Sequence, residues 1–109
     1  MAVVVNRLVS GIPATIQTTV ISSTVTYTAI DTDDKILVDA TGGARIVNLP
    51  TAVGRGEKWF TVKKVDSSSN TVTIDGSGSE TIDGATTYVI TNQYESITVV
   101  SDGANWLIV

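Results

Sequence analysis

The chain contains no cysteine and no histidine. Lacking cysteine, it can build neither a disulfide framework nor a thiolate metal site. Lacking histidine, it has no residue of the type that most often serves as general base, and the best nucleophile is missing too. A Ser-Lys or two-carboxylate enzyme stays formally open, but the spacing of Glu57, Glu80 and Glu95 brings no two acids together, so no enzyme is expected. Positive charge is also scarce: the 7 basic residues are scattered between Arg7 and Lys64, the net charge is −4 and the pI is near 4.4. No continuous cationic track exists for phosphates, and nucleic-acid binding is not expected. The start, MAVVVNRLVS, has neither the basic nor the apolar segment of a signal peptide, and no apolar run approaches the ~18 residues of a membrane span. The expectation is a soluble product made in the cytoplasm, with no membrane partner and no cofactor.

What is abundant is β-branched. Thr, Val and Ile supply 17, 16 and 11 residues, 44 of 109, and these side chains suit pleated strands better than helices. An all-β fold follows. Apolar content of 42% and charge of only 17% give a mean hydropathy of +0.24, high for a small chain with much surface to cover. That excess points to surface buried between subunits.

At 109 residues the limit is one compact domain plus an arm. Residues 1–30 carry one charged side chain, Arg7, whereas all 11 acids lie from Asp31 onward, so the expected division is an extended N-terminal arm, 1–23, and a body, 24–109. In the arm, Val3, Val5, Arg7 and Val9 share one face of an extended strand and Val4, Asn6 and Leu8 the other, leaving neither face cleanly polar. Such a strand wants cover on both sides.

The body alternates short β-prone runs with turn residues, the pattern of an antiparallel β-sandwich or barrel. Strands are predicted near 24–30, 35–39, 44–49, 58–65, 70–75, 86–91, 95–101 and 104–109. The separators include Gly42-Gly43, Pro50, Asp83-Gly84 and Asp102-Gly103, where Gly supplies positive φ and Asp-Gly favours hairpin turns. The last run, Trp106-Leu107-Ile108-Val109, is apolar on both faces, as expected inside a doubly covered sheet or at a subunit contact. Trp59 and Trp106 are the candidate packing anchors between protomers. Thr-Ile-Asp-Gly occurs at 73–76 and 81–84, but two copies do not make a repeat architecture; a strand ending in a turn, used twice, explains them.

Other local patterns carry little chemistry. Asp31-Thr32-Asp33-Asp34 opens like a calcium loop, yet position six is Ile36 where glycine is needed and position twelve is Gly42 where glutamate is needed, so it is expected to be a solvated acidic turn. Gly76-Ser77-Gly78-Ser79-Glu80 lacks the lysine and the helix of a phosphate loop and is expected to be a flexible turn. Arg55, Lys58, Lys63 and Lys64 are expected to form a solvated strand edge that discourages aggregation, with pairing to a neighbour's acids as the alternative.

One order of elements is more specific. It runs Asp39-Ala40, Gly42-Gly43, a strand closed by Leu49-Pro50, Lys63-Lys64, Asn70-Thr71-Val72-Thr73-Ile74, Glu80-Thr81-Ile82-Asp83-Gly84, and Gly103-Ala104-Asn105-Trp106. From about Tyr27 to Val109 this resembles a β-module of tailed-phage virion proteins, found in small head-decoration proteins and in tail-fibre and receptor-binding chains. The resemblance implies a β-sandwich or jelly-roll-like fold, trimeric association and a structural or host-contact role, and it carries no catalytic residues. Residues 1 to about 26 lie outside it, and the module is nearly the whole chain, which favours a decoration (cement) protein on the head surface of the virion. Its partners would be copies of itself, as a homotrimer, and the major capsid protein, with the arm adding a strand to a sheet edge of a capsid subunit or of a neighbouring protomer. The alternative is a tail-fibre or receptor-binding module contacting a host glycan, with Tyr27, Tyr88 and Tyr94 as the only tyrosine platforms.

Overall fold

The computed structural model describes the backbone of residues 2–9 and 12–109 and the side chains from Thr18 onward, and among these described residues it has ten strands and no helix. They are β1 (Ala2–Val9), β2 (Ile12–Ile21), β3 (Thr26–Thr28), β4 (Lys35–Val38), β5 (Arg45–Asn48), β6 (Trp59–Lys64), β7 (Val72–Asp75), β8 (Thr87–Ile90), β9 (Ser96–Ser101) and β10 (Trp106–Ile108). The eight strands predicted for the body all form, each trimmed by one to four residues. Their alternation explains why: Phe60 and Val62 in β6, Ile36 and Val38 in β4, Val72 and Ile74 in β7, and Ile97 and Val99 in β9 all turn inward, while the residues between them turn out.

The strands form two sheets, a large one ordered β1-β2-β4-β6-β9-β10 and a small one ordered β3-β5-β7-β8. Their inward residues meet in one apolar cluster that includes Ile21, Val38, Val47, Phe60, Ile74, Val99 and Trp106.

Both sheets are mixed, and here the structure departs from the antiparallel expectation. From β2 to β7 the chain alternates between sheets, so β2, β4 and β6 run parallel in the large sheet and β3, β5 and β7 run parallel in the small one. Antiparallel pairing is confined to β1 with β2, β7 with β8, β6 with β9 and β9 with β10. The body is thus a coil of three turns, β2–β3, β4–β5 and β6–β7, finished by antiparallel strands. No sequence period announces it, because the turns differ in length: Thr18 pairs with Lys35 at an offset of 17 residues, and Lys35 with Thr61 at 26. The repeated Thr-Ile-Asp-Gly is unrelated to the coil. Its first copy is the end of β7, and its second is a two-residue turn in which Ile82 and Ala85 exchange backbone bonds and both Asp83 (φ 49°) and Gly84 (φ 85°) are left-handed.

The segment expected to be an arm is a hairpin joined to the large sheet. Ala2–Val9 pairs with β2 along its length, but only Thr18 to Ile21 of β2 pair with β4. Thr19 and Ile21 are buried, so the end of the segment expected to be an arm is part of the large sheet. The remainder of the hairpin overhangs: six residues of β2, 12–17, extend about 20 Å at the rise of a strand.

Candidate interaction surface

The outward face of the large sheet can be built row by row from its register. Trp59 lies opposite Val100, and Val100 opposite Leu107, so three apolar side chains stand side by side on β6, β9 and β10. Trp59 is 36% exposed and Leu107 42%. Val109 is 77% exposed and is held beside this row by its N–H, which donates to the Thr98 carbonyl. The next row runs Thr18, Lys35, Thr61, Thr98, with the Thr61 and Thr98 hydroxyls hydrogen-bonded at 2.8 Å. Beyond it come Val20, Leu37, Lys63 and Ser96. The face is low in charge and carries a contiguous aromatic and aliphatic corner.

Of the two tryptophans expected as anchors, Trp59 is exposed on this face and Trp106 is not. Trp106 is 0% exposed, packed on Phe60 with ring centroids 5.5 Å apart, and offers nothing to a neighbour. The parity of β10 decides this, since Trp106 alternates inward and Leu107 outward. Leu107 and Val109, exposed beside Trp59 and not singled out from the sequence, carried a signal in the two-faced C-terminal run. That run is an edge strand of the large sheet, and Leu107 on its outer face is exposed. Val3, Val5, Arg7 and Val9 lie on β1 opposite Val20, Thr18, Ile16 and Ile12. Their side chains, and so their expected role in partner binding, fall outside the described residues.

The charged groups are mostly occupied within the chain. Arg55 pairs with Asp31 at 2.5 Å, and Lys58 pairs with Asp34 at 3.1 Å while also donating to the Asp33 carbonyl. Lys63 sits 5.6 Å from the centre of the Tyr94 ring. Lys64, expected on an exposed edge, is 0% exposed because strand alternation carries it to the core side of β6. There its ammonium donates to the Asp66 carboxylate at 2.8 Å and to the Asp66 and Ser68 carbonyls. Burial pushes the Asp66 carboxyl up, but Lys64, the Ser68 hydroxyl and the amides of Ala40 and Ser68 outweigh it and hold it well below the usual carboxylate range.

The acidic turn at 31–34 is less solvated than expected. Asp33 is buried and accepts from the Thr19 and Tyr27 hydroxyls and from the Ile30 amide, tying β2 to β3. Burial first, and then Asp33, push the Tyr27 phenol up to about 12. The turn at 76–80 is also pinned, since the Glu80 carboxylate accepts from the Thr51 hydroxyl and the Ala52 amide. Among the described residues no three acids converge as metal ligands would, and no pocket opens.

Neither any protein-family model nor any curated protein matches the chain.

Proposed function

We propose that the chain is a structural subunit of a tailed-phage virion: a capsid decoration (cement) protein that sits on the head as a homotrimer and bridges major capsid subunits. We read its two packed sheets as a variant of the β-sandwich that the phage resemblance implies. The observation that carries the assembly half is the apolar corner Trp59, Val100, Leu107 and Val109 on an open sheet face. The virion half rests on the order of motifs between Tyr27 and Val109. Each copy's contact with the shell can be modest, because an assembled lattice repeats it and supplies avidity.

The tail-fibre alternative asks for exposed aromatic platforms on loops. Tyr27 is engaged by Asp33 and Tyr88 packs against the core, so of the tyrosines Tyr94 alone is presented, at 64% exposure. The loop at 66–70 is tied inward through Asp66, Ser68 and Asn70. These features favour the head over the tail.

Co-sedimentation with phage heads stripped of decoration tests the proposal. The protein should pellet with heads to a saturating ratio, and Leu107→Lys should weaken attachment at least tenfold while leaving the fold intact. Attachment to host cells but not to heads would overturn it.

A further inference from the structure

The three sheet edges that lie within the described side chains are defended unequally. At β10, the Trp106 N–H donates to the Thr81 carbonyl, the Trp106 carbonyl accepts from the Asp83 amide, and the Ile108 N–H donates to the Asp83 carboxylate. That edge is closed. At β3 the strand has only three residues, one of the ordinary ways of blunting an edge.

β8 is one residue longer, at four, and no other defence is present among the described residues. Gly76 N–H donates to the Thr86 carbonyl, which fixes the antiparallel alternation: Thr86, Tyr88 and Ile90 turn their backbone groups toward β7, and Thr87 and Val89 turn theirs outward. Beyond the Ile82–Ala85 bridge, no hydrogen bond among the described residues covers that outer edge. Thr87 and Val89 are exposed. From Ala85 to Tyr94 the sequence has neither a charge nor a proline, so nothing in it discourages another strand.

A strand that needs such an edge exists in the same chain. β1 is the outermost strand of the large sheet, and the β1–β2 hairpin overhangs the body with only two strands, an arrangement that is marginal in water unless a further strand or surface covers it. Charge favours the match. The first 30 residues carry Arg7 as their one charged side chain, whereas 65–109 carry six acids and no basic residue.

We infer that the open edge of β8 receives β1 from a second copy of this chain, so that the overhanging hairpin of each protomer continues the small sheet of the next. Donor and acceptor are different surfaces, which makes the contact heterologous; such contacts close into rings when the rotation allows, as a trimer requires. Main-chain bonds supply the affinity, and the arm's single positive charge meets no basic residue anywhere along 65–109. The inference rests on the self-assembly part of the proposed function and is independent of attachment to heads.

Sedimentation equilibrium and cross-linking test it on the full chain. The wild type should sediment as a multiple of its 11.4 kDa mass. Thr87→Pro removes an outward N–H without touching the bonds to β7, and should weaken self-association at least tenfold with the circular dichroism and urea midpoint preserved. Because the chain has no cysteine, two single-cysteine variants, Val5→Cys and Val89→Cys, can be mixed with a short bis-maleimide. A mixed product is expected. A monomeric wild type, self-association unchanged in Thr87→Pro, or cross-linking of Val89→Cys only to itself would each overturn the inference. Head binding lost while self-association persists would instead count against the virion reading alone.

Discussion

Removing the Asp66 carboxylate should be among the most damaging single changes available in the body. Lys64 is fully buried, and its ammonium is held by one carboxylate and two carbonyls. Asp66→Ala leaves that charge with the carbonyls only and also deprives the Ala40 and Ser68 amides of their acceptor. Breaking a buried pair from one side costs about 3 to 5 kcal/mol, a large share of the roughly 5 to 15 kcal/mol that stabilises a domain of this size. The reverse change, Lys64→Met, should cost less, about 1 to 3 kcal/mol, because the Asp66 carboxylate keeps its amide and hydroxyl donors. Urea unfolding followed by the fluorescence of buried Trp106 measures both. The pH dependence gives a second reading. The folded Asp66 carboxyl ionises well below its unfolded value near 3.9, so its stabilising effect is fully present above about pH 4 and is lost as pH falls toward the folded value. Asp66→Asn should flatten that acid limb. A loss under about 1 kcal/mol in Asp66→Ala, or a greater loss in Lys64→Met, would refute the account of Lys64 as a buried cation dependent on one anion.

The remaining expectations concern single contacts. Trp106→Ala should cost about 3 to 5 kcal/mol and Trp59→Ala under about 1 kcal/mol in the isolated protein, separating the core tryptophan from the surface one; equal costs in chemical denaturation would contradict their placement. A Cβ on Gly76 would lie 2.5 Å from the Glu80 carbonyl oxygen, so Gly76→Ala must shift the turn and should lower stability by about 1 to 3 kcal/mol, visible as a reduced thermal midpoint. Tyr27→Phe loses one bond to Asp33 and should cost about 1 kcal/mol. In the wild type the Tyr27 phenol is raised from 10.0 to about 12, so its contribution holds below pH 10 and disappears as pH rises toward the folded value; spectrophotometric titration should lose a phenolate step near pH 12 in Tyr27→Phe.

Several features were legible because they are local. β-Branched runs at period two set the strands of the body, and Asp83-Gly84 specified a left-handed two-residue turn before any contact was known. Others depended on where a run was docked. Gly42-Gly43 and Pro50 say that the chain turns, but not whether it folds back on its own sheet or crosses to the other; it crosses, and the ladders β2-β4-β6 and β3-β5-β7 become parallel. Lys64 and Asp33 resemble surface residues by type. Their burial follows from strand parity and from partners brought close by the coil, Asp66 at the end of the same strand and Thr19 and Tyr27 on neighbouring strands.

The sequence by itself determined the all-β class, the positions of the body's strands and an apolar content high for a chain of this size. Those are properties of side-chain shape and hydropathy, which act over a few residues. Only the tertiary structure decided which apolar residues are surplus to the core. Trp106 and Trp59 are the same residue type in similar strands, yet one completes the cluster against Phe60 and the other stands outside with Val100, Leu107 and Val109. The difference is the direction in which each strand's alternation meets the opposite sheet, and that direction is fixed by long-range pairing.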